Sequence, residues 1–264
     1  METRHGNHQT AHAANAFNDI RFRRYVGVLR GADLNSSRFI ALKHERSVYR
    51  WLVFSSDLWS KVADRANAWV RGIHHGRLPR GSRVRGTTMM DIGGGFLATG
   101  PVWIEAIAVG DDRSPKLFVG ERVHFSQGVH IGAARNVRIG DGCLFGSRVL
   151  VTDHGHGSYR GNAQSSPEED PIRRPVHAEG EVEIGDRCWL GDNVIVLPGT
   201  RLGAGCVVGA GAVLSGTFPA QSMVVGNPAR IVKTFDGETG VWVRHPTAES
   251  GSNFAPTDQG GESA

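Results

Sequence analysis

Residues 119–219 of the chain repeat with a period of six, and this repeat decides the fold. The first half reads VGERVH FSQGVH IGAARN from residue 119 and IGDGCL FGSRVL from residue 139. The second half reads IGDRCW LGDNVI VLPGTR LGAGCV VGAGAV LSGTFP from residue 184. Glycine usually follows the apolar residue that opens each block, and a small or β-branched residue stands at the fifth place. The opening residues are Val119, Phe125, Ile131, Ile139, Phe145, Ile184, Leu190, Val196, Leu202, Val208 and Leu214.

A six-residue period fits neither an amphipathic helix nor an alternating strand, and self-similarity at a fixed period is typical of a solenoid. We expect each block to form a short strand and a tight turn, with the opening residue pointing inward onto its equivalent in the next coil, about 4.8 Å away. Glycine at the turns accepts backbone angles that a Cβ atom would forbid. The pattern therefore predicts a mainly β protein, a parallel β-helix over residues 84–235. The repeat leaves its handedness open, and the general rule for crossovers favours a right-handed coil.

The pattern predicts three further segments outside the coil and one loop within it. Residues 1–35 are polar and without periodicity, which predicts a flexible tail. Residues 36–83 are predicted to form a helical extension, because apolar residues recur at helical spacing from about 43 to 73. Residues 236–264 are predicted to be a largely disordered C-terminal tail. Within the coil the six-fold register breaks over an excursion loop, residues 153–181, and a long break of this kind is usually functional or disordered.

The charge of the chain is unevenly distributed, although the net value is only +4. Residues 43–85 carry ten Lys or Arg against three acidic residues, so the predicted helix is basic. One interpretation is contact with an anionic membrane surface, with Trp51, Trp59 and Trp69 near the headgroups. The other, which we favour, is packing on the open end of the coil or on a neighbouring subunit, as most amphipathic helices bury their apolar face. No recognised motif accompanies the charge, so we expect no nucleic-acid binding.

The three cysteines, Cys143, Cys188 and Cys206, all stand at the fifth place of a block. They are therefore predicted to be packing residues, not a disulfide framework or a zinc site. No apolar N-terminal run precedes a cleavage site, so no secretory signal is expected. The most apolar stretch, residues 96–110, contains Pro101 and is too short to span a bilayer as a helix. We expect a cytoplasmic protein.

The excursion loop begins with Asp153-His154-Gly155-His156, where the chemistry of the chain is concentrated. An imidazole is a suitable general base near neutral pH, and a hydroxyl nucleophile needs one. The two histidines could also be ordinary loop residues or a metal pair. A catalytic metal normally needs three protein ligands, and the candidates for a third across a subunit interface are His124, His130 and His177.

Residues 92–235 resemble the hexapeptide-repeat acyltransferases, whose fold is a left-handed parallel β-helix with three faces, usually assembled as a trimer. The tetrapeptide VTDH at 151–154 resembles the one that ends in the catalytic histidine of the galactoside and maltose O-acetyltransferases. CWLGDNVIVLPGTRLGAGCVVGAGAVL from residue 188 and VVGNPARIVK from residue 224 resemble their coenzyme A-binding half. DHGHGSY, WIEA at 103–106 and TFDGETGVW look most like O-acetyltransferases of lipopolysaccharide and other surface polysaccharides. The resemblance therefore implies a left-handed coil.

The resemblance also implies a mechanism in which a histidine deprotonates the acceptor hydroxyl, which attacks the acetyl-CoA thioester directly. By position His154 takes that role, and His156 is the alternative if the loop aligns two residues later. Asp153, Ser126 and Tyr159 are assigned to the acceptor site.

For the acyl donor, the resemblance places Trp189 beside the active site and the pantetheine arm. The backbone amide at Asp192 would face the thioester oxygen and stabilise the oxyanion. The relatives commonly carry a lysine where this chain has Gly216, and a basic residue further on would then supply the missing phosphate contact. The remaining positions expected to contact coenzyme A are Gly191, Gly209, Ala210, Ser215, Pro228, Arg230 and Lys233.

We therefore predict an acetyl-CoA-dependent O-acetyltransferase that acts on a sugar hydroxyl of a surface polysaccharide or its precursor, works as a homotrimer and requires no metal. Three alternatives remain: a sugar N-acetyltransferase, a zinc enzyme like the gamma-class carbonic anhydrases on the same fold, and a non-catalytic coil that organises an assembly. Zinc content and coenzyme A binding distinguish these classes.

Overall fold

The computed structural model describes residues 47–245 of the chain, with side chains from residue 58 onward. The predicted tail at residues 1–35, the ring of Trp51 and residues 246–264 lie outside the described residues. The chain divides into two units, Met1–Val62 and Ala63–Ala264. Of the first unit, the structure describes helical backbone from residue 47 onward, and the second unit holds the whole coil.

The predicted helix is present as α1 (Ser47–Val70). Within the second unit its last turns pack on the start of the coil. The backbone amide of Leu78 donates to the Asp64 carbonyl at 3.1 Å, and Asn67 Nδ2 donates to the Leu78 carbonyl at 2.9 Å. Ala68 is fully buried in the same apolar cluster as Leu78, which agrees with the packing interpretation for this part of the helix. In the described part of the chain, no helix is long and apolar enough to cross a membrane.

The strands of residues 47–245, numbered along the chain, form three sheets and one hairpin. Sheet A contains β1 (Gly76–Arg77), β4 (Phe96–Ala98), β7 (His124–Phe125), β10 (Leu144–Phe145), β15 (Trp189–Leu190), β18 (Val207–Val208), β21 (Ser222–Val225), β22 (Arg230–Asp236) and β23 (Val241–Arg244). Sheet B contains β2 (Arg83–Arg85), β5 (Trp103–Ala106), β8 (His130–Ala133), β11 (Leu150–Thr152), β16 (Ile195–Val196) and β19 (Val213–Leu214). Sheet C contains β3 (Met90–Ile92), β6 (Leu117–Val119), β9 (Val137–Ile139), β14 (Val182–Ile184), β17 (Arg201–Leu202) and β20 (Thr217–Phe218). The hairpin pairs β12 (His154–His156) with β13 (Val176–Ala178), and a short 3-10 helix covers Thr87–Met89.

The chain visits sheets A, B and C in turn, and each strand pairs in parallel with its equivalent in the next coil. The first coil begins at Gly76, eight residues before the predicted start at 84. After β21 the chain reverses, and β22 and β23 extend sheet A as antiparallel strands to Arg244. Of the predicted C-terminal tail, residues 236–245 are described, and they include β23, which pairs with β22. The excursion loop leaves after β11 and returns at β14, with the β12–β13 hairpin at its base.

The core is the column of inward residues that the repeat predicts. All eleven opening residues are at most 4% exposed. The rings of Phe96, Phe125 and Phe145 stack edge to face along one side, with centroids 5.3 and 4.7 Å apart. The fifth-place residues are equally buried, at Val123, Val129, Cys143, Val149, Cys188, Val194, Thr200, Cys206 and Ala212.

The cysteines are free and buried, as predicted for packing residues. The thiols of Cys143 and Cys188 each donate to a backbone carbonyl of the next coil, those of Gly185 and Gly203, at 3.2 Å. The hydrogen bond with the Cys143 thiol raises the pKa of Cys188 to about 12. Because the thiolate is the reactive form, Cys188 is inert at neutral pH.

Aspartates tie the corners of successive coils together. The carboxylate of Asp186 accepts the backbone amide of Asp141 at 3.0 Å, and that of Asp141 accepts the amide of Glu121 at 2.9 Å. The coils approach so closely here that a Cβ atom on Gly140 would lie 2.6 Å from the amide nitrogen of Asp186. Gly140 is therefore required by the spacing of the coils.

We expect Gly140→Ala to lower the free energy of unfolding by about 1–3 kcal/mol, since two of the three nearest atoms, the nitrogen of Asp186 and the carbonyl carbon of Gly185, are backbone and cannot rotate away. Urea denaturation of the whole chain measures this. Gly94→Ala is the matched control, because a Cβ there would meet nothing within 4 Å. Equal losses in the two variants would contradict the spacing argument.

Candidate active site

Asp153 is the point at which the chain leaves the coil, and its side chain is fully buried. Oδ1 accepts the backbone amide of Ala134 at 2.8 Å, and Oδ2 accepts those of Arg135 and Asn136, also at 2.8 Å. Oδ1 also lies 3.0 Å from Nδ1 of His154. Burial alone would raise the pKa of Asp153, but the hydrogen bonds from His154 and the three amides outweigh it and hold the pKa below its ordinary value. Asp153 is therefore ionised at neutral pH.

The carboxylate of Asp153 fixes the orientation of the His154 imidazole. An acceptor at Nδ1 favours the tautomer that carries its proton there, which leaves the lone pair on Nε2. Thr152 Oγ1 lies 3.3 Å from the same Nδ1 and donates to the His154 carbonyl at 3.0 Å. The ring lies over Gly132, where a Cβ atom would come within 2.9 Å of its Cε1. With 14% of its side chain exposed, His154 has the geometry of a general base.

His156 has a different environment, although it lies only two residues along β12. It is exposed, and within the described residues its side chain makes no hydrogen bond or ion pair. Its backbone carbonyl accepts the hydroxyl of Tyr159 at 2.6 Å, and Arg174 Nη1 donates to that hydroxyl at 2.8 Å. Tyr159, predicted for the acceptor site, is thus tied to the loop beside the histidines. Of the two candidate bases, His154 is the one that the structure pairs with a carboxylate.

The other two residues predicted for the acceptor site do not fit that role within one chain. Asp153 has no exposed surface for an acceptor, since its carboxylate is taken up by backbone amides and His154. It positions the His154 imidazole instead. Ser126 follows β7 at the corner between sheets A and B, whereas His154 lies beyond the end of β11, where sheet B leads to sheet C.

Four of the predicted coenzyme A positions, Gly191, Asp192, Gly209 and Ala210, lie together at the corner between sheets A and B. The amide of Gly191 donates to the Val208 carbonyl at 2.8 Å, so residues 191–192 lie directly on residues 209–210 of the next coil. The Asp192 carboxylate accepts the amide of Ser147 at 2.6 Å. The structure therefore groups these four backbone positions along one edge.

The remaining coenzyme A positions lie on either side of that edge. Trp189 is on the outer face of sheet A and is 53% exposed. Pro228 is in the turn before β22, and Arg230 and Lys233 are exposed on that strand. Ser215 follows β19 on the opposite side of sheet B, at the same corner as His154. A single chain thus presents Trp189 and His154 on different sheets.

The structure does not bring the candidate metal ligands together at one site. Among the described residues, no three His, Cys, Asp or Glu side chains form a group that could hold a metal ion. His124 belongs to sheet A and His130 to sheet B. His177 lies opposite Gly155 in the hairpin, so its side chain is on the other face from His154 and His156.

The sequence reasoning missed the parts that hold the base in place: the amides of residues 134–136, the hydroxyl of Thr152 and the space above Gly132. One signal was available. The opening residues Ile131 and Ile139 are eight positions apart instead of six, and this phase slip marks the corner whose amides bind Asp153.

Two family models match the coil. Residues 181–216 match the bacterial transferase hexapeptide (six repeats), and residues 136–155 match the hexapeptide repeat of succinyl-transferase. The chain is 42% identical over 127 residues to the putative lipopolysaccharide biosynthesis O-acetyl transferase WbbJ of Escherichia coli, covering 48% of this chain and 64% of WbbJ. It is 33% identical over 118 residues to a probable acetyltransferase of Mycobacterium tuberculosis, covering 43% and 36%. The chain thus spans less than two thirds of these relatives.

Among solved structures, the chain is similar to AntD, an N-acyltransferase from Bacillus cereus in complex with dTDP-4-amino-4,6-dideoxyglucose and coenzyme A. The TM-score is 0.50 at 16% sequence identity, and the match covers 62% of this chain and 83% of that one. At this identity the likeness shows the fold, and the expected left-handed parallel β-helix is confirmed. The six-residue repeat is arranged on three parallel sheets, and both matched models fall inside that repeat.

Proposed function

We propose that this chain is an acetyl-CoA-dependent O-acetyltransferase that acylates a sugar hydroxyl of a surface polysaccharide or its precursor. The observation that carries the proposal is the pair formed by buried, ionised Asp153 and His154 on a hexapeptide coil. The substrate class is supported by the name of WbbJ, the E. coli relative that is 42% identical over the matched part.

In the proposed reaction the acceptor hydroxyl oxygen attacks the thioester carbonyl of acetyl-CoA while its proton passes to Nε2 of His154. The tetrahedral intermediate then loses the coenzyme A thiolate as the carbon–sulfur bond breaks. The imidazolium returns the proton to the thiolate, so the products are an acetyl ester and coenzyme A. Asp153, 3.0 Å from Nδ1, stabilises the imidazolium while the proton is held there.

The donor would bind along the corner of sheets A and B. The exposed cations Arg230 and Lys233 suit the phosphates of coenzyme A, and exposed Trp189 offers an aromatic surface for its pantetheine arm. At Gly216, where relatives commonly carry a lysine, a Cβ would meet nothing within 4 Å, so that position is open. Arg230 or Lys233 would supply the phosphate contact that this position lacks.

The outer faces of the three sheets support assembly into a ring. Sheet C is charged: Arg201 pairs with Glu183 at 2.6 Å, and the Arg138 guanidinium lies 4.0 Å from the centre of the Phe118 ring. Sheet A instead exposes apolar side chains, among them Leu144 at 44%. On sheet B the outward residues of the later coils, Leu150, Ile195 and Val213, are also apolar.

Two different apolar faces on one chain favour a heterologous contact, in which sheet A of one copy packs on sheet B of the next and the ring closes. We propose that the ring is the homotrimer implied by the family resemblance. In that arrangement Trp189 of one copy and His154 of the next share a cleft, which would complete a site that a single chain leaves divided.

Light scattering of the full chain should give about three times the monomer mass of 28.5 kDa. Leu144→Glu should lower that mass, because a charge would replace an apolar side chain on the contact face. Phe118→Glu on sheet C is the matched control and should leave the mass unchanged. An active monomer would rule out the divided site.

His154→Ala should lower turnover by about 10²–10⁴-fold, the usual contribution of a general base, and leave acetyl-CoA affinity unchanged. Coenzyme A release in the presence of simple glycosides measures turnover, and isothermal titration with acetyl-CoA measures affinity. His156→Ala is the control and should retain activity. Full turnover in His154→Ala would remove the proposed base, and a wild-type chain that does not bind acetyl-CoA would overturn the proposed function itself.

Asp153→Asn should both slow turnover and lower the free energy of unfolding by about 1–3 kcal/mol, because an amide leaves buried donors without an acceptor. The pKa of Asp153 is lower in the folded chain than its ordinary value of about 3.9, so its stabilisation is complete above about pH 4. It is lost as the pH falls through the folded pKa. Denaturant unfolding should therefore show that the free energies of unfolding of wild type and Asp153→Asn converge at acid pH.

The control for this experiment is Asp141→Asn, at a half-exposed aspartate whose carboxylate accepts the amide of Glu121. One amide oxygen can still accept that bond, so little change is expected. If Asp153→Asn were as stable as wild type across the pH range, the buried carboxylate would not be what holds His154.

A further inference from the structure

Four side chains form a cluster on the outer face of sheet B, next to His154, that the reaction described above does not use. They are Arg83, Trp103, Glu105 and His130, from β2, β5 and β8, and we refer to them as the sheet B cluster. The rings of Trp103 and His130 stack with centroids 4.3 Å apart and planes 10° from parallel. The Arg83 guanidinium lies 5.6 Å from the centre of the Trp103 ring. The stack therefore holds its members in one arrangement.

Glu105 is held in place by this stack. Trp103 Nε1 donates to Glu105 Oε2 at 3.1 Å, and only 14% of the Glu105 side chain is exposed. Trp103 and Glu105 are two residues apart on the same strand, so the indole and the carboxylate point to the same face of sheet B. The carboxylate is thus fixed outside the coil, where a ligand can reach it.

The cluster leaves hydrogen-bonding capacity unused. His130 Nε2 lies 3.5 Å from Glu105 Oε1, yet it is shielded from solvent and has no hydrogen-bond partner among the described residues. A carboxylate offers about four lone-pair sites, and the indole of Trp103 occupies one on Oε2. The remaining lone pairs of the Glu105 carboxylate can accept hydrogen bonds from a ligand that carries hydroxyl groups.

Glu105 is also the neighbour of the base. In sheet B, Glu105 is aligned with Gly132 on the next coil, and Gly132 with Thr152 on the one after. Adjacent strands are about 4.8 Å apart. Because Gly132 has no side chain and the His154 ring occupies that space, Glu105 is the next side chain along the row from the ring.

We propose that Glu105 binds the acceptor and accepts a hydrogen bond from a second hydroxyl of the sugar, close to the hydroxyl that His154 deprotonates. Trp103 and His130 are positioning residues that orient its carboxylate. The acceptor class is therefore a sugar with a free hydroxyl near the acylated one, and sugars that lack it are poor substrates. This inference rests on the proposed function for the reaction, but the binding step can be measured without it.

The probes are methyl α-D-glucopyranoside, methyl α-D-galactopyranoside and methyl α-L-rhamnopyranoside, and the protein is the full chain. Saturation-transfer NMR without acetyl-CoA reports sugar binding. Coenzyme A release then gives kcat and both KM values for the sugars that bind. The variants are Glu105→Gln, Trp103→Ala and Trp103→Phe. Controls on sheet C are Glu183→Gln, an ion-paired carboxylate, and Phe118→Ala, an aromatic ring beside an arginine.

Glu105→Gln should raise the KM for the sugar about tenfold or more, as expected for a lost hydrogen bond to a charged group, with the KM for acetyl-CoA unchanged. Trp103→Ala should also raise the KM for the sugar, because Glu105 would lose its position. Trp103→Phe should raise it less, because a stacking ring is kept. The sheet C variants should match wild type.

Wild-type sugar KM in Glu105→Gln would overturn the assignment, as would the absence of saturation transfer to all three sugars in a chain that binds acetyl-CoA. Failure of the proposed function gives a different result, namely no acetyl-CoA binding in the titration of wild type. A rise in the KM for acetyl-CoA alone in the Glu105 variant would also count against an acceptor site.

Discussion

The structure depends on the close, parallel stacking of one coil on the next. Backbone pairing fixes the spacing between coils at about 4.8 Å, so every inward residue meets its own equivalents above and below. Mainly apolar residues therefore fill the interior, and small or β-branched ones stand where the chain turns. The corner aspartates Asp141 and Asp186 follow from the same constraint, since they satisfy amides of the neighbouring coil where the strands end. Stacking thus determines most of the sequence without reference to function.

The candidate site lies where this stacking is interrupted. At the corner after β8, three consecutive amides of residues 134–136 turn toward the next coil, where the chain has left for the excursion loop. The Asp153 side chain takes the acceptor role there. Its backbone carbonyl also accepts the amide of Glu179 at 3.0 Å, which joins the two ends of the loop. A group needed to close the coil therefore also orients the imidazole of His154, so stability and the proposed catalysis depend on one carboxylate.

The inside of the fold could be predicted from the sequence, because each hexapeptide carries its own pattern. The opening residues and the three cysteines are buried as the repeat implies. The ends could not be predicted in this way, since β1 pairs through Gly76 and Arg77 outside any hexapeptide, and β22 and β23 pair antiparallel. The contacts of the Asp153 carboxylate could not be predicted from the sequence either. Its partners are 17–19 residues away, on another coil, and only the phase slip after Ile131 hints at them.

Because stacking fixes the inward positions, specificity must lie in the outward ones. Outward positions follow the same rows, so residues far apart in sequence, such as Glu105, Gly132 and Thr152, lie in one row on one face. A glycine in such a row opens a space one side chain wide, and above Gly132 the His154 ring takes it. One or two outward residues beside this space, where we propose that the acceptor binds, can therefore be altered while every inward contact stays the same.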